Sequence, residues 1–311
     1  MLKTILILLL VTQFAVLSTG CSKSVPNPSG AVTPSQISPI VSEEQQKQIM
    51  NDYQQLIDKP SAQPSEVRSF IDKNIAQVSS QNAVTMVDAF EQVQRKYLSK
   101  LEAEFFDDHK VQEQLQKSFV PGSDLTDFNE IKDQAVKTLL QRIKENGYKM
   151  EIAEGMYYPV IDYSIYQKYD SMLPGDIAAY HNLMTAESNK AAAKDAALVI
   201  GWNEVIQRAL TQEKFLSQYG NSAKAAEVKE LYKRYVVFTF YGANNTPLFD
   251  YETKTMNKEA KNAYEQAVGL DANSKLLTQL KSYLTILANN HDKLTDEVNQ
   301  FRKAAADHLT K

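Results

Sequence analysis

The stretch Leu276–Ala305, LLTQLKSYLTILANNHDKLTDEVNQFRKAA, carries the clearest fold signal in this chain. Its apolar positions are Leu276, Leu280, Tyr283 and Leu287, then Leu294, Val298, Phe301 and Ala305, with Asn290 in the same series. The steps are all four or three, which lays a stripe along one face of an α-helix and meshes with a facing helix. One long helix is expected here. Two roles are open to it: a seam between two chains, with Asn290 setting the register, or a bundle helix packed on its own chain. The second is favoured, because bundles within one chain use the same packing geometry.

The same texture extends over most of the chain. Glycine is scarce, 10 in 311 residues, and Ala, Leu, Lys, Gln and Glu, all good helix formers, dominate from Ser42 onward. Ser42 before Glu43-Glu44 reads as an N-cap with an acidic first turn, and Ile49, Tyr53 and Leu56 supply the apolar stripe. Pro60 and Pro64 break that helix. Ser65 opens the next, with Val67, Phe70, Ile71 and Ile75 on one face. A long helical segment from about Asn82 to Phe119 follows and stops at Pro121-Gly122. Asp124 to Asn146 forms the fourth helix, with Gly147 just past its end.

Tyr148 to Tyr180 breaks the pattern, holding seven of the sixteen tyrosines together with Pro159 and Pro174. Tyr148–Ile152 alternates polar and apolar residues, and Gly155 separates it from Met156–Ile161. That is a short β-hairpin, confined to an edge by Pro159. It marks the boundary between an N-terminal helical region, 42–147, and a C-terminal one, 148–311. Helices then resume at Asp176–Glu187, Asp195–Tyr219 and Ala223–Tyr241. For Tyr235–Tyr241 strand is the alternative, and Gly242 at a C-cap favours helix. Asn244-Asn245-Thr246-Pro247 is a turn by composition. Phe215-Leu216 with Tyr219, Ser222 and Ala225 resembles the turn of a tetratricopeptide-like repeat, in a single copy, which implies a compact helical hairpin. The fold class expected is mainly α: a multi-helix bundle of hairpins in two halves.

The N-terminus has a different character. Lys3 supplies one positive charge, and Thr4 to Leu17 is an apolar run interrupted only by Thr12 and Gln13, too short for a bilayer-spanning helix. Leu17-Ser18-Thr19-Gly20-Cys21 closes it, and Cys21 is the only cysteine in the chain. This segment resembles the lipobox signal of bacterial lipoproteins. It departs from that pattern at Ser18, where an aliphatic residue is usual. The resemblance implies that residues 1–20 are removed as a signal peptide and that Cys21 carries lipid, of the kind that includes palmitate. It implies a place on the extracytoplasmic face of the cell membrane, or at the outer membrane in a two-membrane host. Ser22–Val41, with Pro26, Pro28, Pro34 and Pro39 among small polar residues, then reads as a flexible tether from 21 to 41. As a random coil it reaches ~25 Å.

Composition narrows the chemistry. With Cys21 acylated no thiol remains for a disulfide, nucleophile or metal site. Formal net charge is −4, and without Lys3 the chain holds 33 basic against 38 acidic residues. That balance argues against nucleic acid as a partner. His109, His181, His291 and His308 form no H-E-x-x-H pair, and no G-x-S-x-G, phosphate loop or S-x-x-K is present. Glu104, Asp107, Asp108 and His109 cluster on one helix, a solvated face rather than a metal site. No metal and no cofactor are expected.

The tyrosines carry the remaining functional expectation. Tyr157, Tyr158, Tyr163, Tyr166 and Tyr169, with Trp202 behind them, could line a shallow groove, since tyrosine offers a flat apolar face and a polar edge. The competing reading half-buries them at the junction of the two helical regions, with their hydroxyls in water. The function expected is non-enzymatic binding or scaffolding in the bacterial envelope, with the membrane reached through the anchor and an envelope protein, peptide or glycan as partner. The alternative is an envelope hydrolase acting on peptidoglycan or peptide through carboxylates such as Asp162, Asp170, Asp176 and Glu187.

Overall fold

Helix α1, Glu43–Ile57, begins where the local chemistry dictates. The Ser42 hydroxyl accepts from the Gln45 amide and the Gln45 side chain returns a bond to Ser42, a closed capping box. A computed structural model describes residues 41–107, 109–119, 127–129 and 131–311 of the chain. Cys21, the leader before it and almost all of the tether lie outside the described residues, as do Asp124 and the expected stop at Pro121-Gly122.

Helix α2 spans Pro64–Asn74 and opens earlier than expected. Gln63 rather than Ser65 is its N-cap, because Pro64 suits the first helical position, where no amide proton is needed. Helix α3, Ser80–Asp107, is the long axis of the N-terminal part, and α4, His109–Ser118, follows it. Helix α5 spans only Gln134–Glu145. Its cap is Asp133, whose Oδ1 accepts the Ala135 and Val136 amides, so the helix starts ten residues after Asp124. Phe128 and Ile131 still pack inward, from the segment ahead of the helix.

The hairpin is present as expected. Strand β1, Tyr148–Ala153, pairs antiparallel with β2, Met156–Ile161, through a turn in which Glu154 and Gly155 both have positive φ. With only two strands both are edges, so Pro159 opposite Met150 costs no ladder bond to a third strand. A 3-10 segment, Tyr163–Met172, leads to α6, Gly175–Asn189. Helix α7 spans Trp202–Gln218, seven residues shorter at its start than the sequence pattern suggests. Asp195–Leu198 instead belong to a small hairpin, β3 Ala193–Lys194 and β4 Ala197–Leu198, whose turn residues Asp195 and Ala196 are left-handed. Helix α8, Ala225–Tyr241, is helical to its end, with no strand at Tyr235–Tyr241. Gly242 caps it at φ 77°. Asn244-Asn245 then turns between β5, Gly242–Ala243, and β6, Thr246–Pro247. Helix α9, Lys258–Ala267, lies beyond them.

The final stretch corrects the expectation of one long helix. It forms α10, Lys275–Asn289, and α11, Asp296–Thr310, which packs back on α10 and α8. Asn290 is the C-cap of α10, and His291 and Asp292 reverse the chain at φ 54° and 57°. Ring packing measures the reversal. Tyr283 and Phe301 stack at 5.7 Å, whereas eighteen residues of continuous helix would hold them about 27 Å apart. The heptad series survives because both helices face the same core.

Two clusters of buried side chains run through this bundle. One gathers residues from Tyr53 to Leu183, with Phe215 and Val228; the other gathers residues from Ala192 to Ala305. Helices α7 and α8 contribute to both. The hairpin at 148–161 lies within the first cluster, where β2 packs on α3 and α4 and β1 on α5. The change of core falls later than the expected boundary, between α6 and β3.

Candidate binding cleft

The tyrosine-rich segment does not form a groove. Tyr157, Tyr163, Tyr166 and Tyr169 are buried in the first core, and Tyr158 is half-buried. Trp202 is buried in the other core, 6.2 Å from Tyr264. The expected surface, and the expected exposure of the hydroxyls, are both corrected, for one reason: the hydroxyls find partners inside. Tyr166 donates to Gln94 Oε1 at 2.5 Å, Tyr169 to Asp72 Oδ1 at 2.6 Å, and Tyr163 and Tyr180 to Glu91 Oε1 at 2.6 and 2.7 Å. A buried ring whose hydroxyl is bonded contributes its whole apolar area to the core.

These bonds converge on a buried charge network between α3 and α8. The Glu91 side chain is 2% exposed. Its Oε1 also accepts from Arg95 at 2.7 Å, and its Oε2 accepts from Lys224 at 2.7 Å. Lys224, 9% exposed, lies 3.0 Å from Asp88 and 4.6 Å over the Tyr180 ring. Arg95 continues outward to Glu227. Burial pushes the Glu91 carboxyl up, but the Lys224 ammonium and the bonds from Lys224, Tyr163 and Arg95 outweigh it and hold it at about 2. Glu91 and Lys224 are 133 residues apart in sequence. The network ties α3 to the start of α8 alongside the first core, and nothing on the sequence marks it.

Beside it, His181 is buried under Tyr166, with ring centroids 4.8 Å apart. Its Nδ1 lies 3.5 Å from Asp170 Oδ1, too far for a good hydrogen bond. Burial takes His181 down to about 4 against an opposing pull from Glu91, and burial raises Asp170. His181 is neutral at pH 7.

The carboxylates considered for hydrolysis are dispersed. Asp162 caps the 3-10 segment through the Ser164 amide. Asp176 sits in the first turn of α6. Glu187 accepts from Tyr235 at 2.6 Å and pairs with Arg208 at 3.3 Å. Glu104 pairs with Arg142, and the side chains of Asp107 and Asp108 lie outside the described residues. Among the described residues no three His, Cys, Asp or Glu are placed to hold a metal ion, and no helix is long and apolar enough to cross a membrane.

The open concavity lies elsewhere, where the second half of α7 and the start of α8 meet the α9–α10 loop and the end of α11. It encloses about 780 Å³, within the range of ligand sites. Leu210, Leu216, Leu270 and Leu309 give it apolar wall, and Lys214, Lys229, Lys275 and Lys311 give it positive charge. Its geometry is set by Glu213 of α7. That carboxylate accepts the Leu276 amide at 2.9 Å and the hydroxyl of Ser274, the α10 N-cap, at 2.5 Å, so it pins the start of α10 to α7. A smaller concavity of about 340 Å³ lies by the β5–β6 turn, where the Arg302 guanidinium sits 4.5 Å over the Tyr241 ring. None of the six aromatic residues singled out from the sequence lines either concavity. The cleft residues are drawn from four separate elements, and no local pattern joins them.

No protein family, no curated protein and no solved structure matches the chain.

Proposed function

We propose that this chain is a lipid-anchored binding protein of the bacterial cell envelope, held to the membrane through Cys21, which takes its partner in the cleft between α7, α8, α10 and α11. The observation that carries the binding reading is the cleft itself. It is open, of ligand size, and lined by lysines and leucines, while of the carboxylates considered for a hydrolase Asp162 is engaged as a cap and Glu187 as an ion pair, and the four lie dispersed outside the cleft. The anchor rests on the lipobox-like segment ending at Cys21. A tether of about twenty residues then leaves the bundle free to orient toward a partner.

Two measurements test the two halves of this reading. Mass spectrometry of the mature N-terminus should find Cys21 acylated, and Cys21→Ser should move the protein out of the membrane fraction. A Cys21→Ser form that still partitions with membranes overturns the anchor. For the cleft, a photo-crosslinking residue at Thr211 or Ser217 should trap an envelope component in cells, and the same residue at Lys137, on α5, should not. Equal capture from both faces overturns the cleft.

A further inference from the structure

The cleft is more cationic than the chain that carries it. Its four lysines and His308 face only two side-chain carboxylates, Glu213 and Asp271, on a protein whose acidic residues outnumber its basic ones. Both carboxylates are already engaged: Glu213 accepts from Ser274 and the Leu276 amide, and Asp271 Oδ1 accepts the Asn273 amide at 2.8 Å. The lysines are not balanced in the same way. Lys229 donates to the terminal oxygen of Lys311, the last residue of the sequence, at 2.6 Å, and among the described residues no carboxylate side chain pairs with Lys214 or Lys275. The cleft therefore presents net positive charge to whatever enters it.

Charge alone does not choose between anions; the rest of the lining does. Leu270 is 59% exposed at the rim, and Leu210, Leu216 and Leu309 continue the apolar wall, which a bare phosphate or a sugar acid would leave uncovered. Tyr232 is the one tyrosine, phenylalanine or tryptophan in the lining, and it is 4% exposed, so there is no ring on which a sugar or a base could stack. Gln207, Thr211, Gln218 and Asn273 supply amides and a hydroxyl of the kind that pair with a peptide backbone. We infer that the cleft binds an extended acidic peptide segment, its carboxylates on Lys214 and Lys275 and an apolar side chain against Leu210 and Leu216. This rests on the cleft being the binding site proposed above and names the class of its partner.

The test uses the full chain in detergent micelles and fluorescently labelled eight-residue peptides alternating Asp or Glu with Leu. Comparison peptides carry Asn or Gln, or Lys, in place of the acids. The acidic peptide should bind and weaken as salt rises, and the amide peptide should bind at least tenfold more weakly. Lys214→Glu with Lys275→Glu, both exposed positions, should weaken the acidic peptide at least tenfold, improve the Lys peptide, and leave the melting temperature unchanged. Equal binding of acidic and amide peptides, no effect of the double reversal, or no acidic-peptide binding at millimolar concentration overturns the inference. So does tighter binding of a uronic-acid oligosaccharide than of the peptide. If the Thr211 crosslink persists while the acidic peptide fails, only the ligand class falls. If both fail, the cleft itself is not the site.

Discussion

Replacing Lys224 with methionine isolates the energetics of the Glu91 network. Oε1 of Glu91 keeps Arg95, Tyr163 and Tyr180 in that variant, but Oε2 has Lys224 as its donor and would be left buried without one. The charge remains partly compensated by Arg95, so the loss belongs at the lower end of the range for breaking a buried pair, about 3 kcal/mol. Arg95→Met is the control. Its side chain is 41% exposed and water can replace it, so the cost should be about 1 kcal/mol. The pH dependence has a definite sign. Glu91 is held at about 2, below its ordinary value of 4.5, so its contribution is present above pH 4.5 and is lost as pH falls toward 2. At about 1.4 kcal/mol per pH unit this amounts to about 3 kcal/mol. Urea unfolding followed by far-UV circular dichroism, at pH 7 and stepwise down to pH 2, reads both effects. Glu91→Gln should flatten the acid limb. Equal costs for Lys224→Met and Arg95→Met at pH 7, or an acid limb unchanged in Glu91→Gln, would refute the reasoning.

Other perturbations read different parts of the fold. At Gly242, φ 77°, an added Cβ would meet Thr246 O at 2.3 Å, whereas at Gly155, φ 75°, it would meet nothing within 4 Å. Gly242→Ala should therefore cost more than 3 kcal/mol by denaturant titration, and Gly155→Ala about 1 kcal/mol of backbone strain alone. His181, held near 4 by burial, stays neutral in the fold while the unfolded side chain protonates below about 6.5. Stability carried by its neutral state is thus lost as pH falls from 6.5 toward 4, and His181→Phe, which keeps the contact with Tyr166, should remove that slope from the melting-temperature profile. Ser274→Ala removes the α10 cap and one of Glu213's partners. A loss of about 1 kcal/mol is expected, together with faster amide exchange in the first turn of α10.

The sequence by itself determined what depends on neighbours a few residues apart. Mainly helical structure, the Ser42 cap, the 148–161 hairpin and the end of α8 at Gly242 all follow from periodicity, side-chain caps and positive φ, each expressed within one or two turns of chain. The split between α10 and α11 belongs to the same class. Thr295 before Asp296-Glu297 repeats the Ser42-Glu43-Glu44 signal, but the continuing steps of three and four mask it, since both helices face the same core. Only the tertiary structure decided the rest. The tyrosines' hydroxyls go to Glu91, Gln94 and Asp72, between 72 and 97 residues away for Tyr163, Tyr166, Tyr169 and Tyr180, and that long-range satisfaction turns an apparent surface into core. The cleft is assembled likewise from α7, α8, α10 and α11, where Lys214 and Lys275 are each an ordinary exposed residue of its own helix. Local chemistry specifies helices and turns; which charges are buried and which meet across a cleft depends on packing between segments that are far apart in the chain.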